Sequence, residues 1–149
     1  MIGSPTAICR RGSYGRRVRA YLAHRDRVRT IAGDDGGAQI VTEHRPSDRI
    51  ECVACHPAAP TRAFVGTFDA GLYRTADGGA SLEPIGASID HDAVTAVAIA
   101  PRAPAEVWVG TEPSRLYRST DAGETFERIG GLTGVASADE WAFPPRPHT

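Results

Sequence analysis

Lysine is missing from this chain: all 17 basic residues are arginines. No apolar run approaches the ~18 residues of a membrane-spanning helix, so no such span is expected. The arginines of "MIGSPTAICRRGSYGRR" are not followed by an apolar stretch, so no secretory leader is read there, and the expected location is cytoplasmic. Three cysteines, an odd count, do not suggest a disulfide framework, and a reduced protein is expected. Helical periodicity is missing throughout, which leaves strands. Eight arginines fall between Arg10 and Arg29, with Asp26 the only acid among them. A basic arm of this kind suits phosphates. Neither interleaved aromatics nor a helix-turn-helix pattern accompanies it, so nucleic acid is not an expected partner.

What is present is a repeat. "IECVACHPAAPTRAFVGTFDAGLYRTADGGASLEPIG" (50–86) aligns without a gap on "VTAVAIAPRAPAEVWVGTEPSRLYRSTDAGETFERIG" (94–130), at a period of 44. Val-Gly-Thr recurs at 65–67 and 109–111, and Leu-Tyr-Arg at 72–74 and 116–118. "GDDGGAQI" (33–40) is a weaker, earlier copy in which Asp35 and Gly37 take the same places, two residues off register. Each unit reads as four short β-branched or apolar segments separated by Pro and Gly. Four strands in roughly 40–45 residues is the pattern of a β-propeller blade. The expected fold is all-β, with about three blades of four antiparallel strands in an incomplete ring. The expected division runs 1–29, an irregular Arg-rich segment or partial blade; 30–48, the end of a degenerate first blade; 49–92 and 93–136, two blades; and 137–149, a link toward a further blade.

This organisation disposes of one tempting motif. Cys52-Val-Ala-Cys55-His56 spells a c-type haem attachment site. Its residues align with Ala96, Ile99 and Ala100, on a first strand. Positions three apart on a strand face opposite ways with Cα atoms roughly 10 Å apart, beyond disulfide reach. There is also no second Cys pair to complete a zinc tetrahedron. No haem is expected, and the cysteines are read as structural.

"TADGGASL" (75–82) and "STDAGETF" (119–126) both fit [ST]-x-D-x-G-x-[ST]-[apolar or aromatic]. The pattern resembles the Asp-box of BNR repeats in sialidases and bacterial glycosyl-hydrolase-like propellers. Chemically, the carboxylate suits backbone N–H groups across a turn, and the glycine supplies a positive φ. Asp35, Asp77, Gly79, Asp121, Gly123 and Phe126 are therefore assigned to structure. The resemblance implies that these boxes lie on the face opposite any active site. It does not carry over the sialidase mechanism, which needs an arginine triad and a Tyr/Glu pair; Tyr73 and Tyr117 recur with the repeat, as packing residues do.

The other end of the array collects the inter-blade links and the loops between second and third strands. Those segments carry His44, Asp48, Asp69, Asp90, His91, Asp92, Glu112, Asp139 and Glu140, with Arg45 and Arg115. His91, Asp92 and Glu112 are the candidate catalytic set. Asp69, Asp90, Asp92 and Glu112 are candidate oxygen ligands for Ca²⁺. Asp69 and Glu112 follow the same Val-Gly-Thr, and their carboxylates are expected to point toward a common axis. The leading expectation is hydrolysis of a C–O bond in a glycoside, or in a lactone or other ester, of a small-molecule or carbohydrate substrate. A Ca²⁺-dependent lactone hydrolase and a non-catalytic binding or assembly platform are the alternatives. Three blades do not close a ring, so the chain is read as part of a longer propeller or as a self-associating subunit.

Overall fold

The computed structural model describes residues 6–10, where only the backbone is considered, 17–34 and 36–131. Every regular element of more than a turn is a strand. β1 (Thr6–Arg10), β2 (Val18–His24), β3 (Arg27–Asp34) and β4 (Gly37–His44) form one antiparallel sheet in sequence order. A second sheet holds β5 (Ile50–His56), β6 (Ala59–Thr67), β7 (Leu72–Thr75) and β8 (Glu83–Ile85). The third holds β9 (Ala93–Ala100), β10 (Ala103–Glu112), β11 (Arg115–Ser119) and β12 (Glu127–Arg128). β1 lies against β5, and β5 against β9, so each sheet contributes its first strand to a common inner edge. This is the arrangement of propeller blades.

The 44-residue period is a structural period. Val65 pairs with Tyr73 and Val109 with Tyr117; Phe64 pairs with Arg74 and Trp108 with Arg118. Strand alternation then sends one set of side chains toward the preceding blade and the other toward the following one. Ala23, Val28, Ile50 and Val65 form the buried seam between the first two blades. Phe64, Leu72, Val94, Val107, Val109, Tyr117 and Phe126 fill the larger seam between the second and third. Burying a side chain of this size stabilises by about 1.5–3 kcal/mol, so the seams hold the array together.

Two expectations need revision. The boundary expected between residues 29 and 30 falls inside β3, and β1, β2, β3 and β4 make a four-stranded sheet. Arginines hid it: Arg27 and Arg29 alternate with buried Val28 and Thr30, a period-2 strand whose outer face is charged. Cys55, expected as an unpaired thiol, is disulfide-bonded, whereas Cys52 is free. An odd count excludes a framework of pairs but not one bridge. Cys55 lies on β5, packed between β1 and β9, where tertiary approach rather than sequence spacing decides which sulfurs meet. The Cys52 thiol is pushed up to about 12 by burial, so it is an inert packing group. Asp35, Asp139 and Glu140 lie outside the described residues, as does the link expected at 137–149.

Candidate functional site

The two ends of the blades are built differently. At the box end, Asp77 accepts the Ser81 N–H at 2.9 Å and the Ser81 hydroxyl at 2.7 Å, while the Gly79 N–H donates to Thr75 Oγ1 at 2.8 Å. Asp121 repeats this with the Thr125 N–H at 3.0 Å and its hydroxyl at 2.6 Å, and the Gly123 N–H donates to Ser119 Oγ at 2.8 Å. The Ser81 N–H and then its hydroxyl hold the Asp77 carboxyl far below the usual carboxylate range. For Asp121 the Thr125 hydroxyl leads, followed by the Thr125 N–H. Both aspartates are occupied in holding a turn. In the β3–β4 turn the corresponding bond is different: Asp34 accepts the Gly36 N–H at 2.9 Å.

Each box also locks its blade to the one before. Arg19 of the first blade donates to the Gly78 carbonyl, and Arg74 of the second donates to the Ala122 carbonyl at 3.1 Å. Gly79 and Gly123 have φ of +91° and +87° and sit against Thr30 and Phe64 of the preceding blade. A Cβ on Gly123 would lie 2.7 Å from Phe64 Cε1, so only glycine fits both the backbone and the seam.

At the link end the loops are braced by backbone. The 67–71 turn closes on itself through Thr67, whose N–H and hydroxyl both donate to the Gly71 carbonyl, at 3.0 and 2.8 Å. It is joined to the link before it by Phe68 N–H to the Arg49 carbonyl at 3.0 Å, and to the link after it by Gly71 N–H to the Asp92 carbonyl at 2.9 Å. Glu112 pairs with Ala93 across β10 and β9. The loop bearing Asp69, the link bearing Asp90, His91 and Asp92, and the strand end bearing Glu112 therefore meet at one end of the second and third blades.

Their side chains divide into two groups. Asp69 accepts a hydrogen bond from the Ser47 hydroxyl, and Asp90 faces the Tyr117 hydroxyl at 3.5 Å. Among the described residues, His91, Asp92 and Glu112 make no side-chain hydrogen bond or ion pair; Asp92 is exposed and the other two half-buried. No three of the His, Cys, Asp and Glu side chains described gather closely enough to hold a metal ion, so Asp69, Asp90, Asp92 and Glu112 do not form a cage here. The reason is a one-residue offset: Glu112 follows Thr111 directly, in the place of Phe68, whereas Asp69 is one position further on and turns to the preceding link. His44 stands apart, on the outermost strand of its sheet, with Nε2 2.8 Å from the Gly79 carbonyl. Arg45 reaches Asp26 at 3.2 Å, and Arg115 reaches the Ser114 carbonyl at 2.9 Å.

Sequence reasoning missed Arg49 and Glu51. The Arg49 guanidinium lies 4.0 Å from the Phe68 ring centroid and 2.8 Å from Glu51, whose side chain is 7% exposed at the start of inner strand β5. An Arg-x-Glu pair at the entry to β5, with the residues two apart in an extended segment, was the available signal.

Blades of four antiparallel strands, ranked with their first strands along a common edge, define a β-propeller array. Two solved propeller structures share this fold with the chain. One, described as YCF48 bound to D1 peptide, matches with a TM-score of 0.53 and 14% identity over 87% of this chain and 40% of that one. The other is a GH74 xyloglucanase from Xanthomonas campestris, with a TM-score of 0.54 and 15% identity over 85% of this chain and 23% of that one. The chain thus spans less than half the length of either. No family model matches it, and no curated protein does. At these identities the likeness shows the fold, and the Asp-box pattern rests on the residues themselves.

Proposed function

We propose that this chain carries part of the link-end site of a propeller that hydrolyses a C–O bond in a glycoside, lactone or other ester. One observation carries the reading: among the described residues, His91, Asp92 and Glu112 have no side-chain partner at the end where two blades meet, while Asp69 and Asp90 are engaged. In the reaction His91 takes a proton from water, the water oxygen bonds to carbon, the C–O bond breaks, and the His91 imidazolium gives that proton to the leaving oxygen, while Asp92 and Glu112 orient the water and the substrate. The xyloglucanase likeness supports the class of chemistry by analogy of fold alone. A Ca²⁺ requirement belongs to the lactone variant of this reading.

A non-catalytic binding platform is the second reading, favoured by the bracing of the link-end loops and by a structural neighbour that holds a peptide. A panel of glycosides, lactones and aryl esters separates the two. Turnover should fall at least tenfold in Asp92→Asn and Glu112→Gln and persist in Asp121→Asn per folded molecule. Loss on chelation and recovery with Ca²⁺ would identify the lactone variant. Turnover untouched by both substitutions would place the site elsewhere, and absence of turnover on every substrate would leave the platform.

A further inference from the structure

Arg49, at the link end, is held on two sides and open on a third. It donates from Nε to Glu51 at 2.8 Å, and its guanidinium lies 4.0 Å from the Phe68 ring centroid. The Glu51 side chain is 7% exposed, whereas that of Arg49 is 43% exposed. One edge and one flat face of the guanidinium are therefore fixed. Among the described residues, Nη1 and Nη2 donate no hydrogen bond. Burying a carboxylate costs desolvation, and an ion pair with a half-exposed partner returns little of it. The pair is a poor device for stability. What it supplies is an arginine whose orientation is set before anything binds.

The repeat argues the same way. Ala93, Thr95 and Glu112 stand one period after Arg49, Glu51 and Phe68, so the third blade forms its sheet with none of the three. Residues that the blade itself needs recur, as Val-Gly-Thr and Leu-Tyr-Arg do. The arginine with its two supports is an addition to the second blade.

Its place ties it to the candidate catalytic set. The Phe68 N–H donates to the Arg49 carbonyl at 3.0 Å, and the Gly71 N–H donates to the Asp92 carbonyl at 2.9 Å. Arg49 and Asp92 thus flank one turn of four residues, a length of chain that spans at most about 14 Å. A ligand of disaccharide size can touch both. The acids Asp69, Asp90, Asp92 and Glu112 lie on this turn or beyond it, toward the third blade. On the other side of Arg49, toward the first blade, stands Arg25. Its carbonyl accepts the Ile50 N–H at 2.8 Å, and its exposed side chain has no partner among the described residues. Arg25 takes φ of +53° in the two-residue turn between β2 and β3, where glycine is the unstrained choice, so the turn does not call for an arginine. Positive charge therefore gathers on one side of the link end and negative charge on the other.

We propose that Arg49 binds a carboxylate on the substrate, so that the glycoside or ester cleaved at His91, Asp92 and Glu112 is an acidic one. This rests on the hydrolytic reading given above. A planar carboxylate takes Nη1 and Nη2 at once, which a single hydroxyl cannot do. Arg25 raises the potential beside it. Asp48, in the same link, opposes an anion only weakly, because it is exposed and water and salt screen it.

Glucuronate and glucose differ by one carboxylate and serve as the probes, titrated against the unmodified chain while the arginine Nε–H signals are followed by NMR. Glucuronate should bind about tenfold more tightly than glucose and shift the Arg49 signal, the one missing from Arg49→Lys. Arg49→Lys keeps the charge and loses the fork, and should remove most of that preference while leaving glucose binding as it was. Equal binding of the two probes by the unmodified chain would overturn the subsite, whatever the variant does. A preference undiminished in Arg49→Lys would overturn its assignment to Arg49. Matched aryl glycosides then separate the subsite from the reaction. The aryl glucuronide should show the lower KM, and Arg49→Lys should raise that KM with little change in kcat. Turnover of glucuronide and glucoside with the same KM would uphold the hydrolase and sink the subsite. Glucuronate binding at Arg49 with turnover of no glycoside, lactone or ester would uphold the subsite and sink the hydrolytic reading.

Discussion

The box end and the link end of the second and third blades are made from the same repeat but obey different rules. At the box end the two copies share three bonds: a hydroxyl donates to the carboxylate, the glycine N–H donates to that hydroxyl, and the arginine of the blade before donates to the turn carbonyl. At the link end the equivalents diverge. Thr67 closes its turn on Gly71, whereas Thr111 donates to the Pro113 carbonyl; Glu112, in the place of Phe68, has no side-chain partner among the described residues. The box end is satisfied internally, so a change there is felt as stability. The link end keeps His91, Asp92 and Glu112 without side-chain partners among the described residues, so under the proposed function a change there is felt in turnover.

The sharpest break of this contrast uses two glycines with similar backbones. Gly123→Ala adds a left-handed strain of about 1–2 kcal/mol to an overpacking cost of about 1–3 kcal/mol against Phe64. Gly71 has φ of +75° and nothing within 4 Å of a Cβ, so Gly71→Ala should cost only the strain, about 1–2 kcal/mol. Urea unfolding of both variants measures the difference; equal losses would remove the distinction between the ends.

Next in size are the tyrosines that tie the seams to the links. Tyr73 donates to the Pro46 carbonyl at 3.1 Å, so Tyr73→Phe should lose about 0.5–1.5 kcal/mol. Tyr117 meets Asp90 only at 3.4–3.5 Å, and Tyr117→Phe should lose less. Chemical denaturation of the pair gives the ranking, and a reversed order would mean that the Asp90 contact is the stronger brace.

The smallest effect is one of pH. Asp77 and Asp121 have carboxyls held well below their ordinary value of 3.8, so below it the unfolded chain binds protons that the folded chain does not. Their contribution is complete above that value and is lost as pH falls toward the depressed one. Asp77→Asn and Asp121→Asn should lower the melting temperature at neutral pH and flatten its fall below about pH 4. An unchanged acid limb in the double variant would show that the boxes are not the groups titrating.

Much of this was legible in the residues. The period of 44, Val-Gly-Thr, Leu-Tyr-Arg and the two boxes gave the four-stranded units and the turn role of Asp77 and Asp121. The first sheet was harder to see because Arg27 and Arg29 decorate its outward positions, and an apolar pattern on one face alone reads weakly. The site was less legible still. That Asp69 and Asp90 are engaged while Asp92 and Glu112 are unpartnered depends on Ser47 and Tyr117, far away in sequence.

The sequence by itself determined what is local and repeated: strand alternation, turn chemistry, and the glycine and aspartate of each box, because these are settled within a few residues by backbone sterics and nearby hydrogen bonds. Only the tertiary structure decided what depends on one blade meeting another. The bridge at Cys55, the burial of Glu51 beside Arg49, and the half-buried Trp108 where its repeat mate Phe64 is sealed are outcomes of approach between sheets. Such approaches are set by the summed packing of whole faces, which no short stretch of residues contains.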